Sequence, residues 1–369
     1  MSYPRIDLVV GTRPEAIKLA PIAFALTAEG QMPRLLLTGQ HPLDPAEHGL
    51  ERFDLVTLDC PGKRNPLAHS DAVARAMAAV LADPPALLVV QGDTSSALGA
   101  AMAADAAGVA IAHVEAGLRS FDLDMPWPEE QNRIAIDRLA TLLFAPTATS
   151  AANLRADGVS GAISITGNTG IDALFAVLEQ LAPVEPRAAS EPLQLLVTCH
   201  RRENWGRPKR AVAAALNHLA QGGKARVKVV LHPNPAMADA MRRALKPSPA
   251  VTLLAPLGHA AMIAEMRRAD IVLSDSGGVQ EEAPALGVPL LVLREKTERP
   301  EGIASGNMVL AGTDRDRIIA HVMRLTDPAV RAAMSRPSLP FGDGQSGPRI
   351  AAAMLAWIAQ QRGALRRAG

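Results

Sequence analysis

Short apolar runs punctuate this chain at regular intervals, with longer alanine-rich stretches between them. In the first half the runs are residues 6–10, 35–37, 87–90, 109–114, 142–145 and 163–166. The second half repeats the arrangement at 193–198, 227–231, 251–254, 271–273, 290–293 and 308–311. The runs are mostly apolar, with few polar interruptions, rather than strictly alternating, as expected of strands buried on both faces. Helices are expected between them, among others at 71–81, 97–107, 128–138 and 211–220. Continuous apolar strands spaced by helices predict parallel sheets covered on both sides. Two sets of about six predict an α/β protein with two Rossmann-like, doubly wound domains facing a cleft. The composition breaks at residues 183–192, PVEPRAASEP, which reads as a linker or a loop just inside the second domain.

Composition narrows the function without choosing it. A length of 369 residues suits two domains, and 48% hydrophobic residues suffice for packed cores. Lys plus Arg total 38 against 37 acidic residues, and aromatics make up 3%. That balance argues against nucleic acid as a partner, since basic patches and stacking platforms are both missing from the sequence. No apolar run approaches the ~20 residues of a membrane helix. The N-terminus runs straight into a strand rather than a signal segment, so a cytoplasmic protein is expected. Cys60 and Cys199 are too few for a disulfide framework or a zinc cluster.

Open parallel sheets collect ligands just past the carboxyl ends of their strands, and those ends are polar here. Val10 is followed by Gly11, Thr12, Arg13, Pro14 and Glu15, with Lys18 one helical turn on. Val90 is followed by Gln91, Gly92, Asp93 and Thr94, and Val114 by Glu115, Ala116, Gly117, Leu118 and Arg119. Thr198 leads into Cys199, His200 and Arg201, and Leu231 into His232 and Asn234. Taken singly, Asp93 reads as a helix N-cap and Glu115 as a solvated charge. Six such strand ends together are poorly explained by caps. The richest follows residues 271–273, where Asp275, Ser276, Gly277 and Gly278 break into a helix-forming run. Outward N–H groups, the helix dipole and missing β-carbons make such a start a cradle for phosphate. Glu281 and Glu282 are expected in that helix's first turn, with Glu282 placed to accept from a ribose diol. Glu130 shares a helix face with Arg133 three residues on, so an ion pair is one reading of it. No G-x-G-x-x-G follows the first strand, so no nicotinamide site is expected. The segment 222–225, GGKA, lacks the Walker spacing, and Asp122-Leu123-Asp124 is a weak metal signal in an acidic loop.

The motifs GTRPEAIKLAP, QGDTSSALG, HVEAGLRS, PWPEEQNR, GNTGIDAL, HRREN, DSGGVQEEAPALG, TERPEG and FGDGQS occur in this order. Together, from about Val9 to Gln345, they resemble the non-hydrolysing UDP-N-acetylglucosamine 2-epimerases. The resemblance implies a glycosyltransferase-B-like fold, a cytoplasmic homodimer and no added metal or redox cofactor. It implies an N-terminal domain of residues 1–168 with a C-terminal helix, 348–369, returning to it, and a UDP-binding domain of residues 169–347. By position it makes Asp93, Glu115 and Glu130 the catalytic carboxylates and His200 the histidine beside the phosphates. Arg13 and Lys18 become the basic residues near the diphosphate and sugar. Ser276, Gly277 and Gly278 become the diphosphate cradle, Glu282 the ribose contact and Arg299 a further substrate-binding arginine. The uracil contacts fall near Leu257 and Met262, where relatives often carry Gln and Phe.

The implied reaction inverts C2 of UDP-N-acetylglucosamine, giving UDP-N-acetylmannosamine through loss of UDP, a 2-acetamidoglucal and re-addition. The sequence leaves open the same chemistry on a modified UDP-sugar, such as a 2,3-diacetamido uronate. A retaining glycosyltransferase of the same fold is the reading from another class. Many bacterial members are also activated by UDP-GlcNAc, through a segment after the Gln-His that ends the second strand. Here Gln40 and His41 run into Pro42, Leu43, Asp44 and Pro45, which predicts weakened or absent activation.

Overall fold

A computed structural model describes residues 4–185, 191–201, 204–223 and 225–368. The chain divides into two compact units, Met1–Ala173 with Phe341–Gly369, and Leu174–Pro340. In the first, strands β1 (Ile6–Val10), β2 (Arg34–Leu37), β3 (Asp54–Thr57), β4 (Leu87–Gln91), β5 (Ile111–Val114), β6 (Leu142–Ala145) and β7 (Ala162–Ile165) form one sheet. Its order is β3-β2-β1-β4-β5-β6-β7, parallel throughout. In the second, β8 (Leu193–Thr198), β9 (Ala225–Val230), β10 (Val251–Leu254), β11 (Ile271–Ser274), β12 (Leu290–Val292) and β13 (Met308–Leu310) pair in the order β10-β9-β8-β11-β12-β13, again parallel. The α/β class with two doubly wound parallel sheets is therefore as the apolar pattern predicted.

Strand β3 escaped the hydrophobic pattern. It is an edge strand with no fully buried residue, so DLVT carries too little apolar signal to stand out from a loop. The central strands gave the opposite result, because both their faces are covered. Leu8, Val89, Leu195, Val197 and Leu273 are all buried in the clusters on either side of their sheets.

Each strand order reverses once, between β1 and β4 and between β8 and β11. Loops diverge at such a switch point and leave a crevice past the strand ends. Arg13 and Asp93 follow β1 and β4, and His200 and Ser276–Gly278 follow β8 and β11. Part of the break at 183–192 lies outside the described residues, as do Arg202 and Glu203 of HRREN and Lys224 of the glycine-rich decoy.

The helix Ser346–Ala368 belongs to the first unit, where Ile350, Ala351, Met354 and Ile358 join the cluster of Leu19, Ile22 and Leu26 from the helix Arg13–Ala28. Asp172 accepts the Gly347 N–H at 2.7 Å, placing a carboxylate at this helix's N-terminus, where the dipole favours it. Among the described residues no helix is long and apolar enough to cross a membrane.

Candidate active site

In the first unit the polar strand ends are held in hydrogen-bonded clusters, one around Glu115 and one joining Asp93 to Glu130. Glu115 comes directly after β5 with φ of 69°, a left-handed backbone that side chains bearing a β-carbon rarely adopt. The Glu115 and Ala116 N–H groups both donate to the Phe144 carbonyl at 3.1 Å, which holds the turn against β6. Two residues on, Gly117 has φ of 84°, and a β-carbon there would lie 2.3 Å from the Ser150 carbonyl oxygen. Only glycine fits this turn, which aims Glu115 into the polar layer above the sheet.

The Glu115 carboxylate is crowded with donors. Lys18 Nζ lies 2.6 Å and Asn168 Nδ2 3.0 Å from Oε1, while Gln91 Nε2 donates to Oε2. Three donors, one of them cationic, thus surround a nearly buried group. Lys18 therefore faces the Glu115 carboxylate across the strand ends.

Asp93 and Glu130 share one arginine. Arg133 Nε donates to Asp93 Oδ2 at 3.1 Å and its Nη2 donates to the same oxygen. Its Nη1 reaches Glu130 Oε2 at 2.8 Å, so the ion pair considered from the i,i+3 spacing does form. Asn132 Nδ2 adds a bond to the Asp93 carbonyl at 2.8 Å. Asp93 is not the N-cap of the next helix: Thr94 holds that position, its Oγ1 accepting the Ala97 N–H at 3.0 Å. The two carboxylates differ in access. Glu130 is 1% exposed, and its oxygens also accept the N–H groups of Ser120 and Phe121 at 2.9–3.1 Å. The Asp93 side chain keeps 25% of its exposure. The helix carrying Glu130 begins at Glu129 with Pro128 as its cap, one residue later than the expected start.

A second layer supports this one. His113 Nε2 donates to the Gly92 carbonyl at 2.8 Å, and its Nδ1 lies 2.7 Å from Asp137 Oδ1. Arg119 Nη2 reaches Asp137 Oδ2 at 2.6 Å. Burial would raise the Asp137 carboxyl, but the adjacent His113 and Arg119 outweigh it and hold it below its ordinary value. Glu15 has a different balance. Burial pushes its carboxyl up to about 7, although Thr94 Oγ1, the Gly11 and Thr12 N–H groups and Thr12 Oγ1 all donate to it at 2.6–3.0 Å. It joins the two turns that carry Arg13 and Asp93. Arg13 is partly buried at the first position of its helix.

In the second unit, Asp275 organises the strand ends. Its carboxylate accepts the His200 N–H at 2.9 and 3.0 Å, the Arg201 N–H at 2.9 Å and Asn204 Nδ2 at 2.8 Å. His200 Nε2 lies 3.0 Å from the Val230 carbonyl, which only accepts, so that nitrogen is a donor and Nδ1 is the other polar edge. The His232 ring packs edge-on against it with centroids 5.1 Å apart.

The helix after β11 runs Gly277–Leu286 with Ser276 as its cap. It starts early enough, at the glycine pair itself, that Glu281 and Glu282 fall beyond the first turn, correcting the expected placement. A β-carbon on Gly278 would meet nothing within 4 Å, so the helix start is open on that side. A β-carbon on Gly277 would lie 3.0–3.1 Å from the Arg299 guanidinium. Arg299 is buried and paired with Glu281 and Glu298, which places its charge beneath the cradle. Glu282 Oε1 lies 2.7 Å from His259 Nε2. Leu257 and Met262, both partly buried, flank His259 in sequence.

Sequence reasoning did not single out Gln91, His113, Asp137, Asn168, His259 or Asp275 as functional. Four of these lie within motifs that were recognised, QGDTSSALG, HVEAGLRS, GNTGIDAL and DSGGVQEEAPALG, so a signal existed without a role attached. His259 and Asp137 had none, because their partners are distant in sequence.

Two doubly wound units, with carboxylate–guanidinium pairs at the strand ends of one and an open helix start at those of the other, fit the class of α/β nucleotide-sugar enzymes. The family model for UDP-N-acetylglucosamine 2-epimerase matches residues 25–355, and the chain belongs to that family, an isomerase family. A relative from Salmonella typhimurium strain LT2, a UDP-N-acetylglucosamine 2-epimerase, is 38% identical over 96% of this chain and 99% of its own. Among solved structures, the UDP-GlcNAc 2-epimerase of Neisseria meningitidis bound to UDP-GlcNAc superposes with a TM-score of 0.89 at 32% identity, covering 95% of this chain and 100% of that one. The Methanocaldococcus jannaschii UDP-GlcNAc 2-epimerase, in complex with UDP-GlcNAc and UDP, gives 0.84 at 30% identity, covering 96% and 99%.

Proposed function

We propose that this protein interconverts UDP-N-acetylglucosamine and UDP-N-acetylmannosamine by eliminating and re-adding UDP across C1 and C2 of the sugar. The C2 proton has no neighbouring carbonyl, so a carboxylate of ordinary basicity does not remove it from the intact substrate. Breaking the anomeric C–O bond first leaves an oxocarbenium-like centre that acidifies C2–H. The departing diphosphate gains negative charge, which the helix start at Gly277 and Gly278, with Arg299 beneath it, is suited to stabilise. Proton removal then gives 2-acetamidoglucal. Re-addition of UDP with proton return to the opposite face completes the inversion.

The observation that carries this reading is the set of three carboxylates at the strand ends of the first unit, Asp93 and Glu130 sharing Arg133 and Glu115 held by Lys18. Opposite-face chemistry needs two proton carriers. We assign these to Asp93, the most accessible, and Glu115, which Lys18 holds close to a cation. Glu130, with both oxygens occupied, is the group that orients Arg133 and, through it, Asp93. His200 offers Nδ1 toward the phosphates in this scheme. The same reading carries a homodimer working in the cytoplasm, which light scattering on the purified protein checks.

Incubation with UDP-GlcNAc in deuterated water, followed by NMR, tests the proposal. Deuterium should enter C2 as UDP-ManNAc forms, with no metal or NAD added. Epimerisation with full retention of the C2 proton overturns it.

A further inference from the structure

Helix geometry relates the phosphate cradle to Glu282. Gly278 and Glu282 are four residues apart, so they share a helix face separated by about 6 Å of rise. Side chains lean toward the helix N-terminus, which brings the Glu282 carboxylate back toward the open side at Gly278. A diphosphate at the helix start would therefore set its ribose within reach of Glu282. A carboxylate free to rotate is a poor reader of a diol, however, because two hydroxyls need an acceptor of fixed direction.

Among the described residues, His259 is the partner of this carboxylate. It comes from the first position of the neighbouring helix, His259–Arg268, with Nε2 at 2.7 Å from Oε1. Both side chains are about nine-tenths buried, at 10% and 9% exposure. An ionised carboxylate only accepts, so the imidazole must donate, and the bond occupies one oxygen. The other remains to receive ligand hydroxyls.

We propose that His259 is a positioning residue for ribose recognition: it fixes Glu282 so that the unoccupied oxygen accepts from the 2′,3′-diol of a nucleoside diphosphate. This rests on the UDP-sugar reading above and adds the residue that makes the site select ribose over deoxyribose. Hydrogen bonds to a charged group are worth roughly 10- to 100-fold in affinity. Loss of the holding group should forfeit most of that factor for UDP and little for a ligand without the hydroxyl.

Calorimetric titration of the full-length protein with UDP and with 2′-deoxy-UDP tests it, using wild type, His259→Ala, His259→Gln and Glu282→Ala. Wild type should prefer UDP by about tenfold or more. His259→Ala should lose most of the preference by weakening UDP alone, and His259→Gln, which keeps an N–H donor, should recover part of it. Glu282→Ala should abolish the preference. A His259→Ala protein that retains the full preference overturns the proposal, as does equal weakening of both ligands. Wild type that binds neither ligand overturns the UDP-sugar reading itself, a different result from a ribose preference indifferent to His259.

Discussion

Arg133 joins two carboxylates that reach it from different directions, Asp93 from the end of β4 and Glu130 from its own helix. Removing Glu130's charge leaves a buried guanidinium under-compensated and frees it to move, so the damage spreads to Asp93. Asp93→Asn and Glu115→Gln should each lower kcat by ~10²-fold or more, the scale of a positioned acid or base. Glu130→Gln should also lower kcat, and all three should still bind UDP in calorimetric titration. Near-normal turnover in all three would remove the assignment. Glu15 permits a pH prediction. Its folded value of about 7 exceeds the ordinary 4.5, so between those pH values the folded protein binds more protons than the unfolded. Stability then falls as pH rises through that window, by on the order of 3 kcal/mol from this residue. Glu15→Gln removes the titration while keeping an acceptor, so its stability relative to wild type should increase from pH 5 to pH 8 in urea unfolding. A pH-independent difference would show that Glu15 does not titrate there.

The elements carry the site through their ends. Gly117 stands in a left-handed turn beneath the Ser150 carbonyl, and that turn sets the direction of Glu115. Gly117→Ala should destabilise the protein by about 2 kcal/mol or more, from the backbone preference plus the contact. The change should appear as a lower thermal midpoint together with reduced kcat. Wild-type stability in that variant would mean the turn relaxes freely. Strand interiors were legible in the sequence because burial on both faces leaves only apolar residues. The edge strand β3 was not, because one side of it meets solvent. The helix at Glu129 was read one residue early, because its proline cap resembles the first helical residue, and the helix at Gly277 was read late, because a glycine pair reads as a break before the helix.

At the scale of the whole molecule, the two units repeat one architectural idea, a single reversal of strand order with chemistry gathered at the reversal. The segment after β2 is shaped locally: Asp44 accepts the Ala46 N–H at 3.0 Å to cap the short turn Pro45–His48, and Gln40 accepts from Ser96 Oγ at 2.7 Å. With Gln40 engaged and two prolines lacking N–H donors, this segment offers little to an activating nucleotide sugar. UDP-ManNAc alone should turn over without a lag and with hyperbolic kinetics. Strict dependence on added UDP-GlcNAc would contradict that expectation.

By itself the sequence determined the α/β class, the near-complete set of strands and the polar strand ends, because each is written in local pattern: apolar runs, glycine breaks and charged residues just past them. It also carried the motifs by which the family is recognised. Tertiary structure decided the partners. That Arg133 holds Asp93, that Lys18 and Asn168 converge on Glu115, that His113 and Arg119 hold Asp137 and that His259 meets Glu282 are contacts across 18 to 97 residues of chain. No local pattern encodes such pairs, since they exist only once strand order and helix packing have brought distant segments to the same sheet end.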